Sequence, residues 1–477
     1  MTLKSINIEE AVARVRQLLA DESGLSPALR AAIEVILLLV ALLVERVGIT
    51  SRNSSLPPSQ DPNRPKKSRQ NTEGKKPGGQ PGHKGHYLAL TEHPDEVERL
   101  PLDRSTLPTG DYQPAAAEVR QVIDIQIRRV VTEYQAEVWV NAAGLRFVAP
   151  FPDGVNSPVQ YGRSLKAQAV YLSQFQLLPY QRTEDYFADQ VGIPVSAGSL
   201  VRFNAEAAQR LIPFEDWLIK KMAGEKVLHA DETSVNINGK KQWLHCTGNT
   251  LYTYFTVHEK RGKVAMDEAG VLPAFNGTLV HDHWKPYFSY TAMDHSLCNA
   301  HHLRELEKVA ETEQVRWAAA MQALLCAMNQ AVDKGGGRLE HAEAEAFRQQ
   351  YRTLLEGAEA ESPPPDESQR KPGQKGRLKR SKGRNLLERL RHFETETLRF
   401  LEDPCVPFTN NQGENDIRMT KVHQKISGCF RSQEGAVTFC RVRSYLSTCR
   451  KQGMTATEAL TLLFQGTLPD FMKEGAE

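Results

Sequence analysis

Three acidic residues, Asp231, Asp282 and Glu414, stand where their side chains could do chemistry. Carboxylates are hard oxygen donors, and three brought together can hold two magnesium ions about 4 Å apart. Such an ion pair activates a water and stabilises the leaving oxygen in phosphodiester displacement. Asp231 follows the apolar pair Val227-Leu228 in Lys226-Val227-Leu228-His229-Ala230-Asp231-Glu232-Thr233-Ser234-Val235, where a buried strand would emerge from a core. Asp282 closes Gly277-Thr278-Leu279-Val280-His281-Asp282 in the same way. Glu414 lies in Thr409-Asn410-Asn411-Gln412-Gly413-Glu414, where Thr409 or Asn410 can cap a helix with the acid in its first turns.

The elements between these acids must bring them together. Asn238-Gly239 reads as a two-residue hairpin turn, because both residues tolerate positive φ. Gln242 to Cys246 and Leu251 to Val257 are the next strands, a helix runs from about Gly262 to Gly270, and Gly277 to Asp282 is a fourth strand. Strand, strand, strand, helix, strand, with acids at the ends of the first and fourth, is a ribonuclease-H-like α/β order. In that order the two acidic strands are neighbours.

A length of 477 residues allows two to four domains, and a formal net charge of +2 leaves any nucleic-acid signal to local clusters. Seven scattered cysteines fit a reducing cytoplasm better than a disulfide framework. No signal peptide is visible, and the apolar run Val35 to Val44 is about half the length of a membrane span. Residues 1–50 read as two amphipathic helices, the second with a zipper-like stripe (Ile33, Ile36, Leu37, Val40, Leu43, Val44, Val47) that fits self-association or packing on the chain's own body. Residues 51–92 read as a flexible basic linker carrying Lys66, Lys67, Arg69, Lys75, Lys76 and Lys84, suited to phosphates.

Alternation over Val119 to Ile127 and Val130 to Val140 predicts a small β-rich module at 93–155. Residues 156–222 are helical. There Thr183 to Gln190, the Gly192 turn and a helix starting at Ser196 fit a helix-turn-helix. The core's first part spans 223–310, and 311–405 reads as a helical insertion with a basic tract that includes Lys375, Arg377, Lys379 and Arg380. Residues 406–477 close the core and add Arg418, Lys425 and Arg431 as further candidate DNA contacts.

Several motifs together resemble the transposases of the bacterial insertion sequence 66 family. They are Asn53-Ser54-Ser55-Leu56-Pro57-Pro58-Ser59, the run Gly78 to His86, His229-Ala230-Asp231-Glu232-Thr233, the run Leu297 to Leu306, Asn410-Asn411 with Glu414 and Arg418, the run Lys425 to Arg431, and Ser444-Tyr445-Leu446. The resemblance covers nearly the whole chain in the family's order. It implies an acidic-triad enzyme that cuts at element ends and joins freed 3′ ends to target DNA, with Mg2+ or Mn2+ held by Asp231, Asp282 and Glu414. It also implies a homo-oligomer in the DNA complex, small accessory transposition proteins, and residence at the nucleoid in the cytoplasm.

One departure matters. Relatives carry cysteine pairs of a small zinc module in the region corresponding to 93–155, whereas no cysteine precedes Cys246 here, so zinc is not expected. His281, Cys298 and His301 are read as outer partners that orient the acids. Two other readings remain: a zinc hydrolase built from His229, His281, His283, Cys298 and His301, whose scatter lacks tight ligand spacing, and a catalytically inactive DNA-binding derivative.

Overall fold

The computed structural model describes residues 2–3, 6–22, 24–47, 50, 88–370, 376 and 378–473. Lys66, Lys67, Arg69, Lys75, Lys76, Lys84, Lys375 and Arg377 lie outside the described residues.

At the N-terminus the short strands β1 (Thr2–Leu3) and β2 (Ile6–Asn7) pair antiparallel and lead into helices α1 (Ile8–Asp21) and α2 (Pro27–Val47). The Arg30 guanidinium donates to the carbonyls of Leu19 (2.6 Å) and Glu22 (2.7 Å), which satisfies the C-terminal end of α1 and folds α2 back on it. Leu37 is buried, whereas Ile36, Leu38, Leu39, Leu42 and Leu43 are exposed.

The β-rich module expected at 93–155 is reduced to one hairpin, β3 (Val138–Val140) with β4 (Arg146–Val148). Val119 to Glu137 forms no strand, and its apolar side chains face solvent, Val122 at 92% exposure. The alternation is present, but among the described residues no second layer covers its apolar face, and an uncovered strand gains little from pairing.

Residues 163–223 form four helices, α3 (Arg163–Val170), α4 (Tyr180–Tyr186), α5 (Ala197–Arg210) and α6 (Ile212–Ala223). Gly192 takes a positive φ of 68° between α4 and α5, and the Ser196 hydroxyl caps α5 by accepting from Ser199 N at 3.3 Å. Leu200, Phe203, Ala207 and Ala208 of α5 are buried in the main core.

The centre is a five-stranded mixed sheet in the order β7-β6-β5-β8-β9: β5 (Val227–Ile237), β6 (Lys240–Gly248), β7 (Thr253–His258), β8 (Thr278–His281) and β9 (Asp294–Leu297). Strands β5, β6 and β7 are antiparallel neighbours, while β8 and β9 run parallel to β5. The β5–β6 turn is Asn238-Gly239 with φ of 49° and 79°, the positive pair that suits the twist of a two-residue hairpin. Asp231 does not end its strand as the sequence suggested. β5 continues to Ile237 because Thr233, Val235 and Ile237 alternate inward and pair with β6. What ends near Asp231 is the pairing with the shorter β8.

Helix α7 (Lys263–Ala269) crosses from β7 to β8. Gly277 enters β8 where any Cβ would lie 2.7 Å from the Glu225 carbonyl oxygen, so only glycine lets the chain run this close to β5. After β9 come α8 (Asn299–Glu313), α9 (Arg316–Lys334), α10 (His341–Glu361), α11 (Lys382–His392) and α12 (Glu394–Leu398). Their apolar faces make a second core, including Leu306, Trp317, Met321, Leu325, Tyr351 and Leu387, which meets the sheet at Val280. Helices α13 (Asn411–Ser427), α14 (Gln433–Lys451) and α15 (Ala456–Gln465) then return to the sheet. On α14, the Thr448 and Ser444 hydroxyls accept from the edge-strand amides of Thr253 (3.1 Å) and Phe255 (2.8 Å), so a helix covers the open edge of β7.

Candidate active site

The β5–β8 register sets the first two acids. Val227 pairs with Thr278, Leu228 with Leu279 and His229 with Val280, and two further steps along both strands bring Asp231 level with Asp282. Each carboxylate is oriented by a nearby amide: Asp231 Oδ1 accepts from Glu232 N at 2.8 Å, and Asp282 Oδ1 from Trp284 N at 3.1 Å.

Helix α13 brings the third acid through Asn410, which is 2% exposed. Its Nδ2 donates to the Ala230 carbonyl at 2.8 Å, its Oδ1 accepts from His229 Nδ1 at 2.8 Å, and its backbone N donates to Cys298 Sγ at 3.1 Å. One side chain thus ties the start of α13 to β5, the strand of Asp231, while its amide reaches the cysteine that precedes α8. Further along, Gln424 Nε2 donates to the Ser234 carbonyl at 2.8 Å, so α13 lies along β5. Glu414 therefore sits in the first turn of a helix fixed to the strand of Asp231.

Asp231 lies close enough to Asp282 and Glu414 to feel both charges. Asp231 is pushed up to about 7, first by burial, then by the neighbouring Glu232 charge, with Asp282 and Glu414 adding smaller upward pushes. Asp282 is pushed up to about 6, by burial first and Glu232 next, with Arg261 opposing. Mutually repelling carboxylates in a poorly solvated site are what a divalent cation relieves. Oxygen is the donor of all three, and Glu414 Oε1 is enclosed without a hydrogen-bond partner. These residues fit a hard divalent ion.

Several residues of this site were not singled out as candidates in the sequence. Glu232 has a side chain 1% exposed and accepts from Arg261 (Nε 2.9 Å, a terminal guanidinium N 2.5 Å) and from the Tyr287 hydroxyl at 2.6 Å. Arg261 is stacked over Trp243 (4.7 Å) and Trp284 (4.2 Å). Only the adjacency of Glu232 to Asp231 could have marked it. Lys421, half-buried on α13, is close enough to feel the charge of Asp231. Arg304 of α8 lies 3.6 Å from Glu414 Oε1.

The histidines and Cys298 take different places. His281 is buried in an aromatic cluster with Tyr287, Phe288 and His295, and its Nδ1 donates to the Asp282 carbonyl, so it steadies the main chain of that acid. Cys298 and His301, at the start of α8, face Glu414: one ligand atom from each of the three lies within 4.8 Å of the others. His229 and His283 are absent from that cluster.

Among the candidate DNA contacts, Arg418, Lys425 and Arg431 are exposed on or just after α13. Lys379 is exposed, whereas Arg380 pairs with Glu388 of α11.

Residues 158–438 match the family described as Transposase IS66 family, and residues 2–89 match a family of unknown function (DUF6444). The chain belongs to the IS66 transposase family. It is also 37% identical over 70 residues to an uncharacterized protein, y4jO, of Sinorhizobium fredii (strain NBRC 101917 / NGR234). That match covers 15% of this chain and 22% of the relative.

Proposed function

We propose that this protein is a DNA transposase that cleaves at the ends of its insertion sequence and transfers the 3′-OH ends into target DNA. The observation that supports the reading is that Asp231, level with Asp282 on the adjoining strand, feels the charges of both Asp282 and Glu414 within a chain of this family. The sheet order, three antiparallel strands followed by two parallel ones with acids on the adjoining pair, supports a ribonuclease-H-like core. Bound Mg2+ or Mn2+ would supply the Lewis acidity and the activated water for phosphodiester displacement.

The protein's own residues position and hold charge. Asp231 and Asp282 present oxygens from adjoining strands, and Asn410 fixes the helix that presents Glu414. Arg261 and Tyr287 bind both oxygens of Glu232, which leaves it as a structural anion behind the site rather than a fourth ligand. Lys421, Arg418, Lys425 and Arg431 can meet the phosphate backbone along α13. The helix-turn-helix-like pair α4–α5 is our candidate reader of terminal-repeat bases, although α5 turns much of its surface into the core. Among the described residues no helix is long and apolar enough to cross a membrane. Action at the cytoplasmic nucleoid, as an oligomer with accessory proteins, completes the proposal, and the cysteine-less 93–155 segment is proposed to work without zinc.

Purified Asp231→Ala, Asp282→Ala and Glu414→Ala variants should each lose metal-dependent cleavage and joining by about 10³-fold or more while still binding terminal-repeat DNA. Calcium should support binding with little chemistry, because its longer and looser coordination does not hold the in-line geometry. Normal strand transfer by any one variant would remove that residue from the site. Normal DNA binding with no cleavage by the wild-type chain under any divalent ion would favour the inactive derivative.

A further inference from the structure

We propose that Cys298, His301 and Glu414 form a second metal site, selective for a transition ion of the zinc class, and that an ion there withdraws Glu414 from the acidic triad. The first half rests on the donor geometry alone; the second also rests on the transposase reading above. It departs from the sequence expectation of a zinc-free protein, which rested on the missing cysteines of the 93–155 segment.

The donors are already gathered. Cys298 is the residue before α8 and His301 lies in its first turn, while Glu414 comes from the first turn of α13 opposite. The three ligand atoms lie within 4.8 Å of one another, and His301 Nδ1 is 3.9 Å from Glu414 Oε1. Both of those atoms are enclosed and neither has a hydrogen-bond partner. Two adjacent polar atoms left unsatisfied call for a bridging group. Zinc bonds of about 2.0–2.3 Å to nitrogen, oxygen and sulfur place tetrahedral ligands roughly 3.3–3.8 Å apart, so small side-chain adjustments close the site.

Its surroundings fix the sulfur and the imidazole in place. Cys298 Sγ accepts from Asn410 N at 3.1 Å, which aims the sulfur at the site; burial holds its thiol above the ordinary value, so a bound ion must itself displace the proton. His301 is carried on the first turn of α8, and its Nδ1 lies 3.9 Å from Glu414 Oε1 with no hydrogen-bond partner of its own. Arg304, anchored on the Ala300 carbonyl at 3.1 Å, faces the same Glu414 oxygen and must pass to the other one when an ion binds. A thiolate with an imidazole selects zinc-class ions over magnesium, which prefers oxygen. The fourth position is left for water.

Co2+ is the probe for the first half, because thiolate ligation gives it a charge-transfer absorption band that Mg2+ and oxygen sites cannot give. Titration of the full-length protein should raise that band to saturation at about one ion per chain. Cys298→Ser should remove it, and His301→Gln should weaken Co2+ binding roughly 10-fold or more. Cys405→Ser, at an exposed cysteine, should leave it unchanged. If Cys298→Ser lowers the yield of folded protein, His301→Gln, at a partly exposed position, carries the test by itself. No thiolate band in the wild type, or a band unchanged in both variants, overturns the site.

The second half is read by electron paramagnetic resonance of Mn2+. Zinc-loaded wild type should bind less Mn2+ than the zinc-free protein, and His301→Gln should keep its Mn2+ at the same zinc concentration. Full Mn2+ occupancy beside a filled thiolate site would overturn the competition. Absence of Mn2+ binding in the zinc-free protein would overturn the triad reading instead, leaving the cobalt band to judge this site.

Discussion

Asp231 shows what the site costs the fold. A carboxylate that titrates at about 7 when folded, against an ordinary value of 3.8, is bound more tightly by its proton in the native state than in the unfolded one. The stability this gives is fully present below the unfolded value and is lost as pH rises through about 7; Asp282 adds the same trend up to about 6. In the absence of divalent ions, thermal stability should therefore fall between roughly pH 4 and pH 7 and level off above, and Mg2+ should restore it at the upper end. Asp231→Asn should raise the metal-free melting temperature near pH 8 by about 2–4 °C while ending catalysis. A melting curve that rises over this pH range, or an asparagine variant less stable than wild type, would contradict the assignment. The places of Asp282 and Glu414 were legible because one follows the end of a strand and the other opens a helix, whereas Asp231, expected at a strand end, lies within β5. Arg261 and Tyr287 were not legible, since nothing in a local pattern says which distant cation and hydroxyl will close over Glu232.

Asn410 decides whether α13 presents Glu414 in register. Asn410→Ala removes partners from the Ala230 carbonyl and His229, both inside the core, and should destabilise the protein by about 1–3 kcal/mol. It should lower strand-transfer activity by roughly 10²-fold, with little effect on DNA binding. Activity close to wild type in the folded variant would show that the helix is held by other contacts. Sequence reading recovered the β5–β6 hairpin and the crossover to β8, because their turn residues and apolar runs are local. It overreached at Val119 to Glu137, where the alternation is as clear but no layer among the described residues covers it. A period of two says which side chains share a face; it does not say that anything covers that face.

On the proposed reading, the whole molecule divides its labour between packed cores and basic chain. Neutralising Lys375, Arg377, Lys379 and Arg380 together should weaken binding about equally on terminal-repeat and unrelated DNA. Because Arg380 is already paired with Glu388, the salt slope should change by the equivalent of about three phosphates rather than four, roughly 2.7 in the log–log plot. Loss of terminal-repeat preference with unaltered binding to unrelated DNA would make this tract a sequence reader. At the other end, Leu39→Glu with Leu43→Glu on the exposed face of α2 should reduce self-association in sedimentation, and an unchanged oligomer would return that face to some other role.

Between the second acid and the third lies the whole helical insertion with its separate core. A chain being made on the ribosome displays Asp231 and Asp282 long before Glu414 exists, and Glu414 reaches them only when α13 docks through Asn410. On the reading proposed here, the nascent enzyme cannot cut the chromosome beside which it is translated. A product that stops between α5 and α13 keeps the basic linker and the α4–α5 pair but has no third acid. Such fragments would occupy the same DNA ends without breaking them, so failed synthesis restrains the element instead of releasing a stray nuclease.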